Sequence, residues 1–186
     1  MSSIEYEKLI GKKTLIVGPL GSGKTKLLAD ILEKFHEMKL ERDIVILDFA
    51  PGRVDSIGGK LSEYIDVDRF TYLSPKAVRM PRYEGKRSID VIFLAEENRV
   101  VMEFLLKKAM KLEKRILVIN DVTLYLHLGN LQRLIELILS RDTVVITAYY
   151  GQEFDDKSSG INIRERSCVE ELMRFFDYVI RLGGGE

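Results

Sequence analysis

The stretch LIVGPLGSGKTKLLADIL, residues 15–32, joins three unlike pieces without a break. Residues 14–18, TLIVG, form a short apolar run that predicts a buried strand. From Lys24 to Leu40, Leu27, Leu28, Ile31, Leu32, Phe35 and Met38 recur at helical spacing, while Lys26, Asp30, Glu33, Lys34 and Glu37 fall away from that stripe. Between strand and helix lies a turn with glycines at 18, 21 and 23. The eight residues Gly18, Pro19, Leu20, Gly21, Ser22, Gly23, Lys24 and Thr25 fit G-x-x-x-x-G-K-[ST]. Each part of that spacing has a reason. Glycines let backbone N–H groups turn inward around a phosphate without side-chain obstruction. The helix that starts near Lys24 aims the positive end of its dipole at the same anion. Lys24 can reach the outer phosphates, and the Thr25 hydroxyl can ligate Mg²⁺. These eight residues and the adjoining Lys26 are the candidate nucleotide-binding set.

Further along, apolar runs alternate with amphipathic ones. DIVILDF (43–49), RFTYL (69–73), RILVIND (115–121), TVVITAYY (143–150) and DYVIRL (177–182) predict strands. SIGGKLSEYI (56–65) predicts a short helix, NLQRLIELIL (130–139) another, and Ser167 with Glu170 forms a capping-box pattern for a helix over 168–176. Ser88 is placed to cap a long helix whose core stripe is Val100, Val101, Phe104, Leu105, Ala109 and Leu112. The segments 74–87 and 151–166 predict loops. Continuous apolar strands separated by helices predict a mainly parallel sheet covered on both faces, a three-layer α/β/α arrangement. No linker separates two cores, so residues 1–186 predict a single domain.

The bulk numbers are consistent with that. Hydrophobic residues make up 46% of the chain, and 29 basic residues balance 29 acidic ones. Net neutrality argues against a general polyanion binder. One cysteine, Cys168, excludes an intrachain disulfide and points to a reducing, cytoplasmic setting. No run is long enough to span a bilayer, and the first residues lack the apolar core of a signal peptide.

A site for phosphate and Mg²⁺ needs an acid at a neighbouring strand end. ILVIND supplies Asn120 and Asp121, in either of two placements: Asn120 in the metal-side position with Asp121 just beyond it, or Asp121 in that position itself. Asp121 is the candidate functional acid in both, sharing the metal with Thr25. Asp48 ends the strand VILD and reaches the same sheet edge, as a group near the metal or water or as a turn residue before Pro51 and Gly52. Lys24, Asp121 and Asp48 are the candidate catalytic residues.

The loop resembles the Walker A motif of P-loop NTPases. The order VILDFA, VDRFTYLSPKA, ILVINDVTLYL, VVITAYY and FFDYVIRL is similar to the core of RecA/RadA/KaiC-like ATPases. The resemblance implies binding of ATP with Mg²⁺. It also brings out three departures. Ala50 stands where the catalytic glutamate is expected after the second strand, only Thr147 or Gln152 could serve as the polar sensor, and no basic finger follows the last strand before Glu186. A slow or partner-dependent ATPase, or an ATP-dependent switch, fits this pattern. A small-molecule or nucleotide kinase with residues 76–87 as lid remains open, as does a non-hydrolysing assembly module.

Lys76, Arg79, Arg82, Lys86 and Arg87 lie close together with Tyr83 among them. They leave open weak nucleic-acid binding or simply a solvated loop. Arg164 and Arg166 share their segment with Glu153, Asp155 and Asp156. His36, His127 and Cys168 have no metal-ligand spacing and read as structural. A protein partner or a homo-oligomer is expected, and no membrane.

Overall fold

The computed structural model describes residues 5–53 and 59–183. The apolar runs form six strands: β1 (Lys13–Gly18), β2 (Ile44–Asp48), β3 (Thr71–Leu73), β4 (Ile116–Asn120), β5 (Thr143–Tyr149) and β6 (Tyr178–Arg181). They make one sheet in the order β3-β2-β4-β5-β1-β6, and every neighbouring pair is parallel. The helices are α1 (Lys24–Glu37), α2 (Pro81–Glu84), α3 (Ser88–Met110), α4 (Thr123–Leu126), α5 (Leu131–Leu139) and α6 (Ile161–Leu172).

Strand alternation divides the core into two layers. Ile16, Ile44, Ile46, Ile116, Val118 and Val145 pack with Leu28, Ile31, Leu32 and Phe35 of α1. Their neighbours Leu15, Val17, Val45, Leu47, Leu117, Ile119, Val144 and Ile146 face the other way, against residues of α3, α4, α5 and α6. In β1, β2, β4 and β5 both faces are buried, which is why these strands read as unbroken apolar runs, while the edge strands β3 and β6 are only partly covered.

Several boundaries differ from the sequence reading. The expected helix over 56–65 lies partly outside the described residues, and its described part holds only a 3-10 turn, Leu61–Glu63. Pro81 opens the one-turn helix α2 inside the expected loop 74–87. Ser88 is the first residue of α3, not its cap. Arg87 takes the cap position, and its N–H donates to the Asp90 carboxylate at 3.0 Å. The capping box at Ser167 and Glu170 does not form, because α6 already starts at Ile161 and both residues lie within it. The one-turn helix α4 had no periodic signal to announce it. Asn130 caps α5, accepting from the Arg133 N–H at 3.0 Å.

The face of α3 is the largest correction. Val91, Leu94, Ala95, Met102, Leu106 and Ala109 are buried, whereas Val100, Val101 and Phe104, expected in the core stripe, are exposed. The helix carries apolar residues on both sides, so periodicity alone did not fix which side faces the sheet.

Among the described residues, no helix is long and apolar enough to cross a membrane. The C-terminal end of α3 is closed by a side chain from far along the chain. The Arg141 guanidinium donates to the carbonyls of Ala109 and Leu112, each at 2.8 Å, and to that of Lys114. Arg141→Ala is therefore expected to lower stability by about 1–3 kcal/mol, since buried carbonyls lose a charged donor. The check is a shift in the urea midpoint at unchanged denaturant slope.

Candidate functional site

The parallel register brings the polar strand ends together. Asp48 pairs with Asn120, and Ile119 with Ile146, which sets Asn120 beside Thr147. Alternation then turns Asp48, Asn120 and Thr147 to the side covered by α1, the helix that begins Lys24-Thr25.

Asp48 is completely buried. Its Oδ1 accepts from the Asn120 Nδ2 at 3.0 Å and the Ala50 N–H at 3.2 Å. Its Oδ2 accepts from the Leu61 N–H at 2.8 Å and the Tyr72 hydroxyl at 2.7 Å. Burial first, and then the Asp48 charge, push the Tyr72 phenol well above its ordinary pKa. Asn120 spends its Nδ2 on Asp48, so its Oδ1 points to Thr147 Oγ1 at 3.1 Å and to Thr25 Oγ1 at 3.4 Å. The group against Thr25 is thus the neutral Asn120, at the end of β4. Asp121 comes next, in a left-handed conformation with φ 57°. Its N–H donates to Thr147 Oγ1 at 2.8 Å, and its carboxylate accepts from the Thr123 hydroxyl. Burial raises the Asp121 pKa. The Thr123 hydrogen bond and the Lys24 charge oppose that rise.

The glycine loop closes over these strand ends. Gly21 and Gly23 have φ of 69° and 86°, and a Cβ at either would meet nothing within 4 Å, so conformation is what requires glycine there. Gly18 is different: a Cβ would stand 2.6 Å from the Leu182 carbonyl oxygen. The Lys24 Nζ donates to the carbonyls of Gly18 at 2.9 Å and Pro19 at 2.6 Å. Burial lowers its pKa, against the pull of Asp121 and Glu153. A partly buried cation ringed by a glycine turn at a helix start fits a polyphosphate.

The loop forms one wall of a cleft of about 380 Å³. Leu20 to Lys26, Ala50, Asn120, Asp121 and Thr147 line it, and Met80, Pro81, Arg82, Tyr83, His127, Tyr149 and Phe154 form its other side. Asp48 lies behind the lining rather than on it. Thr147, of the two sensor candidates, lines the cleft, while Gln152 is exposed elsewhere. Sequence reasoning missed the far wall. The Arg82 side chain is only 7% exposed and forms an ion pair with Glu165 at 2.9 Å. It also packs over the rings of Tyr149 and Phe154. His127 is buried, with Nε2 2.8 Å from the same Glu165 and Nδ1 without a hydrogen-bond partner. No short-range signal joins residues 82, 127 and 165.

The rest of the basic segment is dispersed. Arg79 pairs with Glu84 at 2.8 Å and Glu97 at 3.4 Å, and Arg87 with Asp90 at 2.8 Å, while Lys76 and Lys86 are exposed. Arg164 donates to the Gly129 carbonyl and Arg166 pairs with Glu170. Cys168 is buried within α6. Among the described residues, no three His, Cys, Asp or Glu side chains cluster to hold a metal.

Comparisons with known proteins agree with this geometry at the level of the fold and the loop. Residues 12–56 match the family model "CobW/HypB/UreG, nucleotide-binding domain". Comparison with curated proteins gives no match. Among solved structures, the flagellar accessory protein FlaH from Methanocaldococcus jannaschii superposes with a TM-score of 0.51 at 12% identity, over 97% of this chain and 77% of that one. Pif1 helicase from Candida albicans gives a TM-score of 0.43 at 17% identity, over 98% of this chain and 39% of that one. The chain folds as a P-loop NTPase and carries that fold's nucleotide-binding loop.

Two stability measurements test the polar centre. Asp48→Ala leaves the Tyr72 hydroxyl and two backbone N–H groups without their acceptor, and Asn120 Nδ2 with only the Gly59 carbonyl at 3.3 Å, and is expected to cost roughly 2–5 kcal/mol. A denaturant midpoint like that of the parent would show that the carboxylate does not hold the strand ends.

The second test uses pH. The folded-state pKa of Asp121 is raised by burial, so the folded state holds the proton more tightly than the unfolded chain does. Stability on this account is greatest below the ordinary carboxylate range and declines as pH rises through the folded pKa. Asp121→Asn removes that decline. The variant is expected to melt above the parent at neutral pH, with the gap closing as the solution is acidified past the parent's carboxylate titration.

Proposed function

We propose that this chain, acting as a single domain, binds ATP with Mg²⁺ and works as a slow ATPase or ATP-dependent switch of the RecA/KaiC-like type. The observation that carries the reading is the loop itself: a partly buried Lys24 within the glycine turn, with Thr25 on the first turn of α1 set against Asn120 at the end of β4. The RecA/KaiC assignment rests on the order of motifs along the chain. The family matched over 12–56 leaves the base open, so ATP and GTP are both to be tested.

The donor set at Thr25 fits Mg²⁺ held mainly by the Thr25 hydroxyl and by phosphate oxygens, with Asn120 and Asp121 able to act through water. A bound Mg²⁺ would neutralise charge developing on the phosphates. Lys24 and the loop N–H groups would orient the phosphates. Ala50 lines the cleft where the resemblance places a glutamate, and an alanine cannot polarise water. Asp48 does not replace it, because both of its oxygens are already taken by four donors.

Lys24→Ala is expected to abolish most nucleotide binding with little change in melting temperature, because the side chain leaves no apolar cavity. Calorimetric titration with ATP and GTP, with and without Mg²⁺, measures this. Unchanged affinity in a folded variant would remove the loop from the binding site.

Turnover by the isolated protein is expected to be far below once per second, since a missing general base costs about 10²–10⁴-fold. Ala50→Glu should raise it. A parent that already releases phosphate at several per second would sink this account. Following labelled terminal phosphate also addresses a second reading, transfer to a small acceptor, which is favoured by the wall of Met80, Pro81, Arg82 and Tyr83 across the cleft. Free phosphate, a labelled acceptor and intact ATP correspond to ATPase, kinase and non-hydrolysing module.

Nucleic-acid binding is expected to be weak. Arg82 is buried in an ion pair, and Arg79 and Arg87 already have carboxylate partners.

A further inference from the structure

The longest helix of the fold exposes an apolar stripe to solvent. On α3, Phe93 is 62% exposed, Val100 55% and Phe104 67%. Neither the cleft nor the two core layers uses these side chains. They belong to a row that runs Phe93, Glu97, Val100, Phe104, Lys107, Lys111, all exposed, at alternating spacings of four and three. That spacing forms the seam of a helix that packs along another helix. Drift of about 20° per heptad keeps the row on one face over this length.

Reflection of the row about Met102 sets the acid Glu97 against the base Lys107, and Lys111 against the apolar Phe93. Acid lies toward the N-terminal side at Glu97, base toward the C-terminal side at Lys107 and Lys111, and the apolar pair Val100 and Phe104 falls between. We infer that α3 is a self-association face, and that its occupant is the α3 of a second copy of this chain, packed antiparallel about a two-fold axis beside Met102. In that arrangement Val100 of each copy meets Phe104 of the other, Glu97 meets Lys107, and Phe93 lies against Lys111. Each contact occurs twice, as an isologous interface requires. A parallel pairing would instead stack Glu97 on Glu97 and Lys107 on Lys107.

Glu97 already lies 3.4 Å from Arg79, but both side chains are 46% exposed, and such a pair is weakly held. One helix face per copy falls at the small end of specific interfaces, so the dimer is concentration-dependent rather than permanent.

The test is sedimentation velocity of the full chain across a concentration series at low and moderate salt. The parent is expected to move from monomer to dimer as concentration rises. Phe104→Asp, at an exposed position, should raise the dissociation constant about tenfold or more while leaving the melting temperature and nucleotide binding unchanged. Glu97→Lys alone and Lys107→Glu alone should each weaken the dimer, more strongly at low salt. The double variant, Glu97→Lys with Lys107→Glu, should recover the parent's dissociation constant.

Recovery in the double variant distinguishes this register from a general hydrophobic contact. A chain that stays monomeric at every concentration overturns the inference and leaves the face to another partner. A dimer insensitive to Phe104→Asp places the interface elsewhere. Failure of the double variant to recover overturns the antiparallel pairing.

Discussion

The Asp48 carboxylate sets the geometry of everything that surrounds the cleft. A fully buried anion must have its lone pairs satisfied, and here four donors converge from two strands, the segment after β2 and a 3-10 turn. One of them is the Asn120 amide, and that choice orients the next links. With Nδ2 committed to Asp48, Asn120 Oδ1 can only face Thr147 and Thr25. The Thr147 hydroxyl gives its proton to that oxygen and then accepts from the Asp121 N–H. The chain consequently leaves β4 in a left-handed turn, and Asp121 is carried off the line of the strand. A single buried charge thus fixes the direction of a relay that ends at Asp121, the one carboxylate among the described residues that lines the cleft.

The sequence was informative wherever a local pattern carried the structural cause. Strands buried on both faces must be apolar throughout, and the four central strands, like the less buried edge strands β3 and β6, were visible within a residue or two. The glycine loop was legible because backbone conformation and anion binding demand particular residues at fixed offsets. The long helix was legible in extent but not in orientation. Its apolar residues occur on both sides, and Val100, Val101 and Phe104 turned outward while Val91, Leu94 and Met102 turned in. Ser167 and Glu170 had the spacing of a cap, but Ile161 had already begun the helix from the left-handed Gly160. Cap chemistry is local; where the helix starts was decided by packing against the far wall. Arg82 shows the same limit from the other side. In sequence it is one cation among five, and only the fold reveals that Glu165, Tyr149 and Phe154 enclose it. The choice between Asn120 and Asp121 also waited on the fold, because both sit at a strand end and only the register shows which one meets Thr25.

Binding an anion and cleaving it place different demands on the same cleft. Burial lowers the Lys24 pKa and raises that of Asp121, and each group's charge partly offsets the other's penalty. A polyphosphate in the cradle would disturb that balance. Its negative charge would favour protonated Lys24 and disfavour ionised Asp121, which share the cleft. Asp121 could then be relieved by a proton or by a divalent cation, and these two would neutralise the same charge. Asn120, being neutral, supplies no second carboxylate to hold the cation against that competition. On the proposed reading, such an arrangement would favour retention of the phosphates over rapid chemistry upon them. Occupancy of the cradle would then bear on the protonation of a residue whose backbone is tied, through Thr147 and Asn120, to the buried Asp48.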